Sequence, residues 1–147
     1  MAPDSPLLTL TIPSDLRMLS IARAFVEAVC QASNLDKSTL HAVLLATGEA
    51  VSNVIRHAHQ GRPQAQVQLQ CRLRPDAIEI VLLDEGDPFD ITAVPHLDPG
   101  ELRVGGRGVF LMRALMDELS CQPRPGRGNA LRMVKRWKTP AEVRECG

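Results

Sequence analysis

Residues 49–58 read EAVSNVIRHA, and three polar side chains in this segment, Glu49, Asn53 and His57, are spaced by four positions. On an α-helix, residues four apart are offset by only about 40°, so these side chains form one stripe. Apolar residues form a second stripe roughly opposite: Leu40, Leu44, Val51, Ile55 and Ala58. The segment from about Lys37 to His59 is therefore predicted to be a helix that packs on a sheet and presents its polar stripe elsewhere.

This polar stripe carries the chemistry of a magnesium-dependent site. The amide oxygen of Asn53 can occupy one position of an octahedral magnesium ion that keeps water and phosphate oxygens at the others. The carboxylate of Glu49, one turn earlier, can then act as a general base toward a hydroxyl or a water. The solvated face of an ordinary amphipathic helix would show the same pattern, and the spacing alone leaves both interpretations open.

A second polar group, the run DEGDPF from Asp84, follows an apolar segment at Ala77–Leu83. A carboxylate at a strand end can accept a hydrogen bond from an exocyclic amine, and Gly86 would let a flat ring approach the backbone. An acidic turn after a strand explains the same residues.

A third group is the cluster GGRG, which precedes a helix predicted from Val109 to about Leu119: Gly105, Gly106, Arg107 and Gly108. Successive glycines let backbone N–H groups point into one concavity, and a helix start adds a positive dipole end, which together favour phosphate. A flexible lid or a tight turn would use the same glycines. The chain contains no GxxxxGK[ST] and no GxGxxG after a first strand, so the cluster is neither a Walker A loop nor a Rossmann fingerprint.

The N-terminal part of the chain is predicted to form a strand and a helix. Leu7–Ile12 alternates in part, and Ser14 would cap a helix that runs from Asp15 to about Ala32. The rest supplies three further strands: a hairpin of Gln64 to Leu73 with Ala77 to Leu83, and a final strand from Ala130 to Trp137.

The length, composition and charge of the chain limit the classes of function that it can have. The chain has 147 residues, 44% of them hydrophobic, with 17 basic and 17 acidic side chains and a formal net charge of zero. One compact domain over 1–147 is expected, and direct nucleic-acid binding is disfavoured. The sequence shows neither a signal peptide nor about 18 consecutive apolar residues, which favours a cytoplasmic protein without a membrane span. The scattered cysteines favour reduced thiols, and the His57 and His59 pair suits zinc poorly.

In order and spacing, the three polar groups resemble the N, G1 and G2 boxes of the GHKL ATPases, which include histidine-kinase catalytic domains, gyrase-type subunits and anti-sigma-factor kinases. Residues 49–58 are very similar to the N box of the anti-sigma serine kinases, and LMDEL at 115–119 is similar to the same subfamily. The resemblance covers roughly residues 7–138. It implies a two-layer α/β sandwich of the Bergerat type, with a mixed, mostly antiparallel sheet and helices on one face.

The resemblance also implies roles for individual residues. Glu49 would be the catalytic base, Asn53 the ligand of Mg2+, and His57 a further contact of the ATP site. Asp84 would contact the adenine, with Gly86 beside it in the floor of the pocket.

The G2 glycines would hold the phosphates, namely Gly105, Gly106 and Gly108. Family members often place an arginine immediately before these glycines, whereas this chain has Val104, and either Arg103 or Arg107 could take its place near the terminal phosphate. The departure bears on phosphoryl transfer more than on nucleotide binding.

Two other positions are implicated by the resemblance. Many relatives have a threonine after glycine in the last strand, where this chain has Asn129 between Gly128 and Ala130, and Asn129 can still donate and accept hydrogen bonds. Arg23 of the first helix is similar to an arginine that these proteins use to engage partners, although a solvated charge would look alike.

The function implied is that of a protein kinase that uses ATP with Mg2+ to phosphorylate a serine or threonine of a STAS-domain anti-sigma antagonist, to sequester a sigma factor, or to do both. Family members commonly form homodimers. An alternative is an ATP-gated binding module whose lid, about residues 88–104, orders on nucleotide without phosphoryl transfer. A histidine-kinase fragment is disfavoured, because the first predicted helix contains no histidine.

Overall fold

The structure, a computed structural model, describes residues 5–59, 62, 64–87 and 107–139. The strands are β1 (Leu7–Pro13), β2 (Gln66–Arg74), β3 (Ala77–Leu83), β4 (Glu118–Pro123) and β5 (Asn129–Arg136). The α-helices are α1 (Leu19–Cys30), α2 (Lys37–Asn53) and α3 (Arg107–Leu115). A short 3-10 turn (Leu16–Met18) leads into α1, and a π-helical turn (Val54–Ala58) continues α2.

The five strands form one sheet in the order β1-β2-β3-β5-β4, and each neighbouring pair is antiparallel. Residues that share a row across the sheet face the same way, because side chains alternate along each strand. One such row is wholly apolar and joins Leu10, Leu69, Leu82 and Leu131. The predicted hairpin of β2 and β3 is confirmed.

The hydrophobic core lies between this apolar face and the three helices. Leu69, Ile80 and Met133 of the sheet are completely buried, as are Val26 of α1 and Val51 of α2. The opposite face carries many polar residues, including Gln70, Glu79 and Arg132, which suits a sheet covered by helices on one side only. The predicted two-layer α/β sandwich is therefore confirmed. Within the described part of the chain, no helix has both the length and the apolar character needed to cross a bilayer.

The predicted cap of the first helix is wrong. Ser14 does not cap it; the Asp15 carboxylate accepts a hydrogen bond from the Arg17 backbone N–H at 2.8 Å and begins the 3-10 turn instead. The Ser14 hydroxyl is engaged elsewhere, by the ring of His59 at 2.9 Å. Both residue types are good helix caps, and tertiary contacts decided between them.

The predicted extent of the last helix is also wrong. It ends at Leu115, and residues 118–123 form the edge strand β4. In this strand Leu119 pairs with Met133 and Cys121 with Leu131, so these two side chains extend the apolar face of the sheet. Two apolar residues in alternation are too short a signal to distinguish from the end of an amphipathic helix.

Candidate nucleotide-binding site

Helix α2 presents Glu49 and Asn53 on one side, one turn apart. The helix begins where the Asp36 carboxylate accepts a hydrogen bond from the Thr39 backbone N–H at 2.7 Å, a standard N-terminal cap. Regular α-helical geometry extends to residue 53, so the predicted alignment of Glu49 with Asn53 is retained, and both side chains are half-buried.

His57 lies beyond the regular part of this helix. The His59 backbone N–H bonds to the Val54 carbonyl at 2.8 Å, five residues earlier, which is the hydrogen bond of a π turn. A π turn takes in an extra residue, so a spacing of four no longer returns His57 to the stripe of Glu49 and Asn53. His57 is exposed.

Asp84 and Asn129 form a buried polar pair at the point where the end of β3 lies beside the start of β5. Asp84 is only 3% exposed, and its Oδ1 accepts hydrogen bonds from the Gly86 N–H at 2.8 Å and from the Asn129 N–H at 3.2 Å. The Asn129 Nδ2 adds a third bond to the same oxygen at 3.1 Å. The carboxylate orientation is thereby fixed, and Asn129 is placed beside Asp84, as a shared site requires.

Gly86 packs closely against Ala58, in the π turn that continues α2. A Cβ built on residue 86 would lie 2.5 Å from both the Cβ and the carbonyl oxygen of Ala58. No larger residue fits at position 86 unless the backbone moves. The glycine therefore allows the turn after β3 to pack directly on the π turn. Sequence reasoning assigned this glycine to ligand access, and the structure adds a packing requirement.

Gly108, at the start of α3, contacts the side chain of Asn53. A Cβ on residue 108 would lie 2.6 Å from Nδ2 and 3.1 Å from Oδ1 of Asn53. The end of α2 thus touches the start of α3, and the π turn that continues α2 touches the segment after β3. Gly105, Gly106 and the predicted lid lie outside the described residues, and Arg107 is described only as the first residue of α3.

Sequence reasoning missed two further supports of this site, Arg124 and Gly128. The Arg124 Nη1 donates to the Asp84 carbonyl oxygen at 2.7 Å. Gly128 has a φ of 106°, and a Cβ there would be 2.0 Å from the same oxygen. The available signal was the PRPGRGN run before β5, which indicates a tight turn without saying what it touches.

His59 was also missed as a site residue. It is completely buried and directly follows the π turn. Its Nδ1 lies 2.9 Å from the Ser14 Oγ, and its Nε2 accepts the Glu85 backbone N–H at 2.9 Å. Burial is the main cause that lowers the pKa of His59 below its ordinary 6.5.

Arg23 lies across α2 next to the predicted base. A Cβ built on Gly48 would be 2.5 Å from Nη2 and 2.7 Å from Nε of Arg23. Gly48 therefore leaves room for the guanidinium to cross the helix at the position before Glu49. Arg23 is otherwise exposed.

Comparisons with known proteins agree with this architecture. The chain is 25% identical over 120 residues to the serine-protein kinase RsbW of Listeria innocua, which covers 76% of both chains. It is 26% identical over 123 residues to that of Bacillus subtilis, covering 78% of this chain and 77% of the relative.

Two solved structures share the fold. A crystal structure of the RsbU and RsbW domains of a Mycobacterium tuberculosis protein matches with a TM-score of 0.66 at 14% identity, over 92% of this chain and 33% of the other. The histidine kinase domain of an Erythrobacter litoralis blue-light activated kinase matches with a TM-score of 0.52 at 20% identity, over 85% and 61%. The histidine kinase-like ATPase domain family matches residues 12–135, and the chain belongs to this family.

Proposed function

We propose that this protein is an ATP-dependent serine/threonine kinase that acts as an anti-sigma factor. The observation that carries the proposal is the contact of Gly108 with Asn53, on a helix that holds Glu49 one turn earlier. This contact brings the start of α3, where phosphate would bind, next to Asn53, the proposed magnesium ligand, on the helix that also carries the proposed base. The names of the RsbW relatives and the N-box resemblance support the same activity.

The residues present fit a magnesium nucleotide. Asn53 offers an amide oxygen of the kind that Mg2+ accepts beside water and phosphate oxygens. The three hydrogen bonds that the described residues make to the Asp84 carboxylate all fall on Oδ1, so Oδ2 would accept the exocyclic amine of adenine. Gly105, Gly106, Arg107 and Gly108 would bind the phosphates, with His57 and Asn129 at the margins of the site.

Glu49 would act as the general base for phosphoryl transfer. When bound, magnesium ATP supplies the phosphoryl group, and the metal charge favours its transfer. Glu49 accepts the proton of the substrate hydroxyl as that oxygen bonds to the γ-phosphorus and the bond to the β-phosphate oxygen breaks. Because Asn53 lies one helical turn away, the helix would hold Glu49 close to phosphates bound at Asn53.

The proposed protein partners are a STAS-domain anti-sigma antagonist, which receives the phosphate on serine or threonine, and a sigma factor, which is sequestered. Arg23 would contribute to partner binding, because it crosses α2 at Gly48 and remains exposed. A homodimer in the cytoplasm completes the proposal, by analogy with the family.

Label transfer from γ-labelled ATP to a candidate antagonist tests the kinase activity. We expect the parent to label the antagonist, and Glu49→Gln to bind ATP but transfer label at least about 100-fold more slowly, since a lost general base typically costs this much. Glu27→Gln, a carboxylate change on α1, serves as the matched control. Equal transfer by Glu49→Gln and the parent would refute the assignment of the base.

An ATP-gated binding module is the second candidate, favoured by Val104 at the position where relatives often carry arginine. It predicts that MgATP changes the affinity for an antagonist or sigma factor while no label is transferred. The same incubation, followed by co-purification, separates the two functions.

A further inference from the structure

His59 joins three separate segments of the chain at one buried point. It follows the π turn, contacts Ser14 after β1 through Nδ1, and contacts Glu85 after β3 through Nε2. Its own carbonyl accepts the Arg62 N–H at 2.9 Å and the Arg62 Nε at 2.9 Å. Backbone and ring are both anchored, so the imidazole has a defined orientation.

The hydrogen bonds select a single protonation state of this ring. A backbone N–H can only donate, so the Nε2 that faces Glu85 must be an unprotonated acceptor. The ring proton therefore sits on Nδ1 and is donated to the Ser14 hydroxyl. A second proton, on Nε2, would place two donors, this N–H and the Glu85 N–H, 2.9 Å apart at a fully buried position. The hydrogen bond between Glu85 and His59 would then break.

The bond to Glu85 acts directly on the segment that holds the proposed adenine contact. Glu85 lies between Asp84, whose carboxylate accepts the Gly86 N–H, and Gly86, which packs on Ala58. The His59 bond fixes the middle of this turn, and the Asp84 and Gly86 contacts fix its two ends. If the bond between Glu85 and His59 breaks, the turn can change its backbone conformation, and the position of the Asp84 side chain changes with it.

We propose that His59 is a positioning residue that holds the Asp84–Gly86 turn in its nucleotide-binding shape only while its ring is neutral, so that nucleotide affinity falls in acid. This inference rests on the proposed nucleotide site and adds a pH limit to it.

Burial favours the neutral form of the ring, and the surrounding charges act in both directions. Burial lowers the pKa of His59 most, and Arg62 and Arg127 act in the same direction. Asp84 and Glu85 oppose them by stabilising the protonated ring. These charged groups come from three segments of the chain. Arg62 follows the π turn, Arg127 lies in the β4–β5 turn, and the two acids follow β3. Protonation therefore begins only below the ordinary range of histidine.

The test measures the dissociation constant of a fluorescent ADP analogue from about pH 8 to about pH 4.5 for the parent and His59→Gln, so that the range extends well below the ordinary histidine pKa. A glutamine Oε1 can accept the Glu85 N–H but does not titrate in this range. Because the nucleotide phosphates titrate as well, the quantity compared is the ratio of the two constants. We expect a constant ratio above neutral pH, and below the His59 pKa an extra weakening of the parent that approaches about tenfold per pH unit.

Two further variants complete the comparison. His41→Gln changes an exposed histidine of α2 and should follow the parent at every pH. His59→Leu should bind the analogue at least about tenfold more weakly even at pH 8, since the Glu85 N–H loses its acceptor. Nitrogen NMR of the parent should show the proton on Nδ1.

The outcomes separate this inference from the proposed function. Binding by the parent with the same pH profile as His59→Gln, or a ring proton found on Nε2, would overturn the role of His59 and leave the nucleotide site intact. Failure of the parent to bind at any pH would remove the nucleotide site and the positioning role together.

Discussion

Gly108 lies against the amide of Asn53, at a distance where a Cβ on residue 108 would be 2.6 Å from Nδ2. The atom that would be struck is the end of a side chain that can rotate, and no backbone atom lies as near. A methyl group at position 108 would therefore turn the Asn53 amide aside more readily than it would distort the helices.

The first prediction is that Gly108→Ala weakens magnesium-dependent nucleotide binding more than it destabilises the fold. We expect the dissociation constant for MgATP to rise about tenfold, the equivalent of one lost hydrogen bond or ligand contact. The melting temperature without nucleotide should change little, because alanine is a better helix former than glycine. Titrations with and without magnesium check this, and an equal loss in both would place the defect elsewhere.

The second prediction concerns Asp84→Asn. An asparagine oxygen can still accept the three hydrogen bonds now made to Oδ1, so the fold should be retained. The second carboxylate oxygen becomes an NH2 group, which would face the exocyclic amine of adenine donor to donor. We expect the thermal shift produced by MgATP in the parent to be lost and affinity to fall about 10- to 100-fold.

Asp76→Asn, in the exposed β2–β3 turn, is the matched control for this change. It should keep the full MgATP response. A response of Asp84→Asn equal to that of Asp76→Asn would contradict the adenine contact.

Helical periodicity in the sequence is enough to align Glu49 with Asn53, because α2 stays regular over both residues. The same periodicity fails at His57, since a π turn cannot be read from a spacing of four. It also hides His59, whose role is recognised only when its two hydrogen-bond partners, in the segments after β1 and β3, are seen.

The sheet shows a similar division between local and tertiary information. The β2–β3 hairpin follows from alternation and a Pro-Asp turn, which are local signals. The edge strand β4 is stabilised by pairing with β5, a contact that the residues of β4 do not encode by themselves. Likewise, the place of Asn129 beside Asp84 depends on the register of β3 with β5.

The third prediction compares two glycines of the β4–β5 turn, both with positive φ. Gly126 has a φ of 86° and open space where a Cβ would lie, whereas a Cβ on Gly128 would be 2.0 Å from the Asp84 carbonyl oxygen. Gly126→Ala should cost about 1 kcal/mol from backbone strain alone. Gly128→Ala should cost about 3 kcal/mol or more, since backbone must move, and should also weaken nucleotide binding through Asp84.

Urea unfolding of the two variants measures this difference. Because both changes are glycine to alanine in one turn, their effects on the unfolded chain largely cancel in the comparison. Equal destabilisation would mean that the close approach of Gly128 to Asp84 does not exist in solution.

The fourth prediction concerns Glu118 on the polar face of the sheet. Its carboxylate accepts hydrogen bonds from Arg132 at 3.0 Å and from Arg136, and Arg132 also donates to Glu79 at 2.7 Å. The hydrogen bonds from Arg132, then Arg136, lower the pKa of Glu118 from 4.5. A carboxylate with a lowered folded-state pKa stabilises the fold above its unfolded value, and this contribution disappears as pH falls through the folded value.

Glu118→Gln should therefore lower the urea midpoint modestly near pH 7, and the gap to the parent should close as the pH falls from about 4.5 through the lowered folded-state value. The effect should be small because the network is solvent-exposed, and added salt at about 1 M should shrink it further. Urea titrations at three pH values, with and without salt, measure both trends. A gap that is the same at pH 3 as at pH 7 would show that packing of residue 118, and not its charge, sets its contribution to the stability of β4.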